Sequence, residues 1–303
     1  MKKRIKWLLV TVSFYVVSNS FFAMATDQSI AIFIRDDVHY DYTHFLAGRA
    51  PQDITDFSGR FIRRDVVDMI IAQQALYLGG FNKTFSYQIG KINFRNTKLL
   101  EKGELLISFD SYWYEDAKSL ADKVYISDEL IRKGEYFAGI FTSPNNKKVF
   151  QLQHLSDFNQ LTSVSTPRWR TDWKTLSQLP LKDLVAEDEW LSQVRMVSMQ
   201  WIDFMLMPLM PQMGNQYVLE DIVLQAVPNV LILLDDSRHF VISKRHPDGA
   251  QAFKALQKGL KILREQGAIE KVYRQAGFIP ELSEQLIINL PLTRKLVQRS
   301  FPK

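Results

Sequence analysis

"HFVISKRHPDGAQAFKALQKGLKILREQGAIEKVYRQAGF", residues 239 to 278, passes from a short apolar run to a long periodic one. Phe240 to Ser243 reads as a strand. From Ala250 onward Phe253, Leu256, Leu260 and Leu263 recur at helical spacing, which predicts a long helix with those side chains inward. Gly267 stands where a left-handed C-terminal cap belongs, because glycine adopts that conformation without steric cost. A second helix, Ala268 to Ala276, stops at Gly277.

The same alternation runs upstream. Ile30 to Ile34 is a first strand, and Val67, Ile71, Ala75 and Leu78 mark a helix that Gly79-Gly80 stops. Phe85 to Ile89 and Leu105 to Phe109 read as strands, separated by a short helix around Thr97 to Glu101. Leu161 to Ser165, Ile202 to Leu206 and Val230 to Leu234 are further strands, and Trp190, Val194, Val197 and Trp201 line one helix face. Strands alternating with helices predict an α/β fold with mainly parallel sheets. The length suits two lobes, since a domain commonly holds about 100 to 200 residues. No Pro/Gly/Ser-rich linker divides them. The extended segment Glu135 to Thr142, closed by the turn signal Ser143-Pro144-Asn145-Asn146, is therefore expected to cross between lobes itself.

Residues 1 to 25 read as a cleaved export signal, with Lys2, Lys3, Arg4 and Lys6 as basic head, Trp7 to Val17 as apolar stretch and Ala23-Met24-Ala25 as cleavage site. They hold four of the 38 basic residues and none of the 33 acidic ones, so the rest of the chain is near neutral, 34 against 33. That excludes the basic footprint of nucleic-acid binding. The chain has no cysteine, so stability rests on a packed core and an acylated N-terminal cysteine is excluded. A periplasmic monomer, not anchored by lipid, is expected.

The terminal stretch resembles the closing segment of family 3 extracellular solute-binding proteins, the type II periplasmic binding fold, with Gly267, Ile269, Lys271, Val272 and Tyr273 in the family's Gly and "kiY" positions. "LLEKGELLISF" (99–109), "KVYISDELI" (123–131) and "MVSMQWIDFML" (196–206, with Asp203 in the Asp position) are similar to further family segments in the same order. The resemblance implies two α/β lobes joined by two crossing strands, near 135–142 and 231–240, which close on a ligand. It places lobe 1 at 26–137 and 236–303 and lobe 2 at 138–235. It also implies a small-molecule ligand, with an ABC permease or a membrane sensor as partner.

On that fold the ligand-binding candidates fall in three loops. Asp110, Tyr112 and Trp113 lie in "SFDSYWYED", residues 108–116, after a lobe-1 strand. Aromatic rings there would supply rigid walls and a carboxylate would orient a polar group; the other reading packs Trp113 and a Tyr under the loop and leaves the acids in water. Ser165, Thr166, Arg168 and Trp169 lie in "STPRWRTDW", residues 165–173, ahead of a helix, with Arg168, Arg170 and Asp172 readable equally as solvated charge and an ordinary N-cap. Asp36, His39 and Tyr40 follow the first strand. Arg63-Arg64 and Lys147-Lys148 read as solvated faces.

Amino-acid binders of the family carry an Arg in the first loop that clamps the ligand carboxylate; here Glu115 and Asp116 occupy that stretch. The family's second Asp, which holds the α-amino group, is also missing after Asp203. The expected ligand is a small polar or aromatic-bearing molecule other than an ordinary α-amino acid. His39 and His44 lack zinc-motif spacing, so no metal and no cofactor is expected. No nucleophile motif, zinc motif or phosphate loop is present, and a dehydratase-like use of Glu115 or Asp110 is the weaker alternative to a non-enzymatic binder.

Overall fold

A computed structural model describes residues 29–90 and 95–290, so the export signal read at 1–25 lies outside the described residues. Strand β1 (Ile30–Ile34) buries its three isoleucines and feeds helix α1 (Asp36–Leu46). Helix α2 (Arg64–Leu78) is apolar around most of its circumference, and so it is buried nearly all round. Strand β2 (Phe85–Ile89) returns parallel to β1, from Ile30 opposite Phe85 to Ile34 opposite Ile89. Helix α3 (Arg95–Lys102), the short β3 (Tyr112–Trp113), the single turn α4 (Tyr114–Lys118) and β4 (Val124–Ile131) complete this part.

The chain then enters a different sheet. Strand β5 (Phe137–Thr142) is buried on both faces; β6 (Thr162–Ser165), α5 (Arg170–Ser177), β7 (Asp183–Ala186), α6 (Trp190–Ser198), β8 (Met205–Pro208), β9 (Gln216–Leu219) and the long β10 (Ile222–Leu233) follow. Strands β10, β5 and β8 lie side by side and antiparallel, with β9 hairpinned onto β10, while β6 and β7 pair in parallel. From β10 the chain returns to β11 (Arg238–Ser243), which sits between β3 and β4. Two of the passages that link the sheets, 132–136 and 234–237, run together: the Leu234 N–H donates to the Tyr136 carbonyl at 3.0 Å.

Helices α7 (Gly249–Glu265) and α8 (Ala268–Gln275) meet the expectation for the terminal stretch, with Gly267 at φ 66°. Helix α7 lies so close on α2 that a Cβ on Gly259 would stand 1.8 Å from the Ala75 carbonyl oxygen, and one on Gly79 would stand 1.9 Å from that of Ala255. Glycine is needed at both contacts for backbone approach. After α8 the chain crosses back: β12 (Leu286–Ile287) pairs with β10, and Asn289 exchanges hydrogen bonds with Leu233. The segment 236–303, expected in one lobe, is therefore shared between two sheets in its described part.

Three element expectations need correction. Leu105 to Phe109 is buried but makes only one bridge, Ile107 to Ile242, because the chain turns where the Ser108 hydroxyl donates to the Asp110 carbonyl. Strand β8 starts at Met205 rather than Ile202, since the Asp203 carboxylate is engaged by the Thr162 N–H at 2.8 Å and Asn146 at 3.1 Å and forms a corner. Helix α6 ends at Ser198, Gln200 takes φ 59°, and Trp201 is left 69 % exposed instead of continuing the inner face. Among the described residues no helix is long and apolar enough to cross a membrane.

Candidate functional site

A cavity of about 750 Å³ opens between the two groups of sheets. One wall is built by Arg35 after β1, by Arg63, Arg64 and Asp65 at the start of α2, by 108–113, and by Arg238 at the start of β11. Facing it are Pro167 to Arg170 and Asp172 at the start of α5, Asp188, Trp190, and Leu206 to Pro208 with Met210 at the end of β8.

The first wall rests on a buried ionic network. Asp68 is fully buried on α2 and accepts from Arg64 Nη1 at 2.5 Å, from the Ser111 hydroxyl at 2.6 Å, from the Ser111 N–H at 3.0 Å and from the Tyr273 hydroxyl. Arg64 continues to Asp110 at 2.9 Å and to Asp65. Arg238 donates from Nε to the Ser111 hydroxyl at 2.8 Å and lies over the Trp113 ring, 4.6 Å from its centroid, with Tyr136 beside it at 5.7 Å. Such a cation is held by its faces as well as its edges. At the outer end Asp37 takes Arg63 at 2.8 Å and Arg35 at 3.0 Å; burial alone would push its carboxyl up, but the two guanidinium groups outweigh burial and hold it well below the usual range.

Several contacts span the gap. Trp113 Nε1 donates to Asp172 Oδ2 at 2.7 Å, Arg170 Nη1 to the Glu115 carbonyl at 3.0 Å, and the Thr171 hydroxyl to Asp236 at 2.8 Å. Arg35 lies 5.5 Å from the centroid of the Trp190 ring. Asp116 stands between these layers, 4.0 Å from Arg170. Burial pushes its carboxyl up to about 7, and Asp172 adds to the rise while Arg170 opposes it. A folded value above the unfolded one means that Asp116 stabilises the fold fully below its unfolded value of about 3.9, and that this contribution is lost as pH rises through about 7. Asp116→Asn is expected to flatten the stability profile across that window, as measured by urea unfolding at a series of pH values.

No protein-family model matches the chain, and neither does any curated protein. Among solved structures it is similar to the probable amino-acid ABC transporter extracellular-binding protein YtmK of Bacillus subtilis, with a TM-score of 0.50 at 10 % identity over 84 % of this chain and 100 % of that one. The fold is that of the type II periplasmic binding proteins. Other matches are an ancestral amino-acid-binding protein described as a precursor of cyclohexadienyl dehydratase (TM-score 0.49, 15 % identity, 83 % of this chain and 95 % of that one) and an amino acid ABC transporter substrate-binding protein, AbpA, from Streptococcus pneumoniae bound to L-arginine (0.48, 14 %, 71 % and 85 %).

On this binding-protein fold Asp110, Tyr112, Trp113, Arg168 and Trp169 all line the cavity. Trp113 does so while buried, so the two readings of its loop meet in one residue. Asp36, His39 and Tyr40 do not line it. Because α1 begins at Asp36, the chain turns one residue after β1, and Arg35 and Val38 occupy the cavity side. Tyr40 is 55 % exposed and its ring lies tilted against that of His44, with centroids 3.9 Å apart. Ser165 and Thr166 are also absent from the lining; both are buried, and the Thr166 hydroxyl is spent on Asp188 at 2.5 Å. Arg63 and Arg64, expected in solvent, are 6 % and 7 % exposed.

Arg35, Arg63, Arg64, Asp188, Trp190 and Arg238 line the cavity, where the sequence reading placed none of them. One signal was available for Arg64: charges one and four residues apart, Arg64, Asp65 and Asp68, at the head of an otherwise apolar helix mark a buried ion cluster. Among the described residues no three His, Cys, Asp or Glu side chains are grouped as metal ligands would be.

Proposed function

We propose that this chain is an exported solute-binding protein that traps a small organic molecule between two lobes and presents it to a membrane importer. The observation that carries the reading is the cavity of about 750 Å³ with walls drawn from both groups of sheets and joined across the gap by Trp113, Arg170 and Thr171. That volume suits a ligand of metabolite size, and closure of two lobes around it is a hinge motion about few residues. The lobes we propose are 26–137 with most of 236–303, and 138–235; the passages 132–136 and 234–237 are the natural hinges.

Binding without catalysis is the reading we favour over a dehydratase, because four of the five acids lining the cavity have close protein donors, arginines for Asp65, Asp110 and Asp188 and the Trp113 N–H for Asp172, while the fifth, Asp116, stands 4.0 Å from Arg170. A periplasmic location, an importer as partner and a ligand other than an ordinary α-amino acid belong to the same proposal. Native mass spectrometry of the protein purified from a periplasmic extract tests it. One small molecule per chain is expected, lost on unfolding and regained with a change in tryptophan fluorescence. A bare mass, with no fluorescence response to the extract, contradicts it.

A further inference from the structure

We infer that the solute is an organic anion with a flat, unsaturated body, a carboxylate that meets the Arg64–Arg238 wall, and no ammonium group. The inference rests on the cavity being the solute site and adds what chemistry it selects.

Charge is the first ground. Among the described residues the lining holds seven cations, six arginines and Lys98, against five aspartates; Asp37, Asp41 and Asp68 pair Arg35, Arg63 and Arg64 from behind, whereas Arg238 has Asp110 alone, at 3.5 Å, and is the least compensated cation of that wall. The second ground is which of these groups still have capacity. Asp65 meets Arg63 at 3.4 Å and Arg35 at 3.4 Å as well as Arg64; Asp110 meets Arg64 at 2.9 Å and Arg238 at 3.5 Å; Asp188 meets Arg168 at 3.2 Å. Asp172 accepts from the Trp113 N–H and Asp116 stands 4.0 Å from Arg170, so an ammonium ligand would find each lining acid already facing a protein donor. The guanidinium side differs. Nε of Arg63 and Nε of Arg64 are buried without a hydrogen-bond partner, on side chains 7 % and 8 % exposed that both line the cavity. Arg238 commits Nε and Nη2 to Ser111, which leaves Nη1 without an acceptor among the described residues. Of these donors Arg238 Nη1 is not buried, so it is the one that an incoming anion meets.

The third ground is shape. Trp113 and Tyr136, with ring centroids 4.5 Å apart, back Arg238, while Trp169 and Trp190, 6.1 Å apart, stand on the facing wall. Rigid aromatic walls on both sides of one cavity suit a planar body.

Titration calorimetry with 3-phenylpropanoate, 3-phenylpropan-1-ol and 3-phenylpropan-1-amine isolates the charge, since the ring and chain length are constant. The acid is expected to bind about tenfold or more tighter than the alcohol, as one charge-assisted hydrogen bond allows, and the amine weaker than both. Arg238→Lys, which keeps the charge but loses the fork, is expected to weaken the acid about tenfold and the alcohol by clearly less. An amine or alcohol that matches the acid overturns the inference, as does the absence of binding by all three or a cationic solute in the native mass spectrum. In that last case solute capture stands and only the ligand class fails; a spectrum with no solute removes the capture reading itself.

Discussion

Asp68→Ala is expected to destabilise the folded protein by about 3 to 5 kcal/mol, the usual cost of removing one partner from a buried ionic group. Asp68 is 0 % exposed, and its two oxygens serve four donors, from Arg64, the backbone and side chain of Ser111, and Tyr273. The alanine variant leaves the Ser111 N–H and the Tyr273 hydroxyl without that acceptor and removes a counter-charge from Arg64. It also unties three pieces of the cavity wall, since Tyr273 belongs to α8, Arg64 to α2 and Ser111 to the aromatic loop. Asp68→Asn keeps an acceptor oxygen and is expected to lose less. Urea unfolding measures both; a loss for Asp68→Ala under about 1 kcal/mol would show that the network is not held by this carboxylate.

Trp113→Ala is expected to cost a similar amount, about 3 to 5 kcal/mol, from the loss of a large buried ring. Trp113 is 4 % exposed, packs on Tyr136 and lies under Arg238. The more informative variant is Trp113→Phe, which keeps a ring but deletes the Nε1–H that reaches Asp172 across the gap. Burial already raises the Asp172 carboxyl, and the Trp113 hydrogen bond is among the influences that lower it. With that donor gone, about 1 to 3 kcal/mol of closed-state stability should be lost, and the loss should be largest at high pH, where Asp172 must be charged. A Phe variant with wild-type stability across the pH range would mean that the bridge contributes nothing.

How far the sequence could be read followed the physics of each residue. The stretch 239–278 was legible because its signals are local: helical spacing from Phe253 to Leu263, then a left-handed glycine at 267. The aromatic loop was legible in part, since rings beside acids after an apolar run are unusual, and Asp110, Tyr112 and Trp113 do line the cavity. Arg63 and Arg64 were misread because arginine is ordinarily exposed, and, although Asp65 and Asp68 are close in sequence, the other acids that neutralise them, Asp37, Asp41 and Asp110, arrive from distant parts of the chain. Asp36, His39 and Tyr40 were expected simply to follow the first strand; the helix that starts at Asp36 was not read, and it turns Arg35 and Val38 to the cavity instead. Arg238 carried no local signal at all. Its place depends on β11 lying between β3 and β4, a pairing of residues more than a hundred positions apart.

The account stands on two bodies closing over the cavity, and the distance across the gap tests it most directly. The chain contains no cysteine, so Lys118→Cys on α4 and Lys174→Cys on α5, both exposed, take a pair of spin labels without other changes. Pulsed dipolar spectroscopy of the protein as purified with its solute should give one short distance. The same protein, stripped of small molecules by unfolding and refolding, should give a longer and broader distribution that shortens again when the solute is restored. A single unchanged distance in all three samples would contradict closure, and with it the reading of this chain as a solute trap.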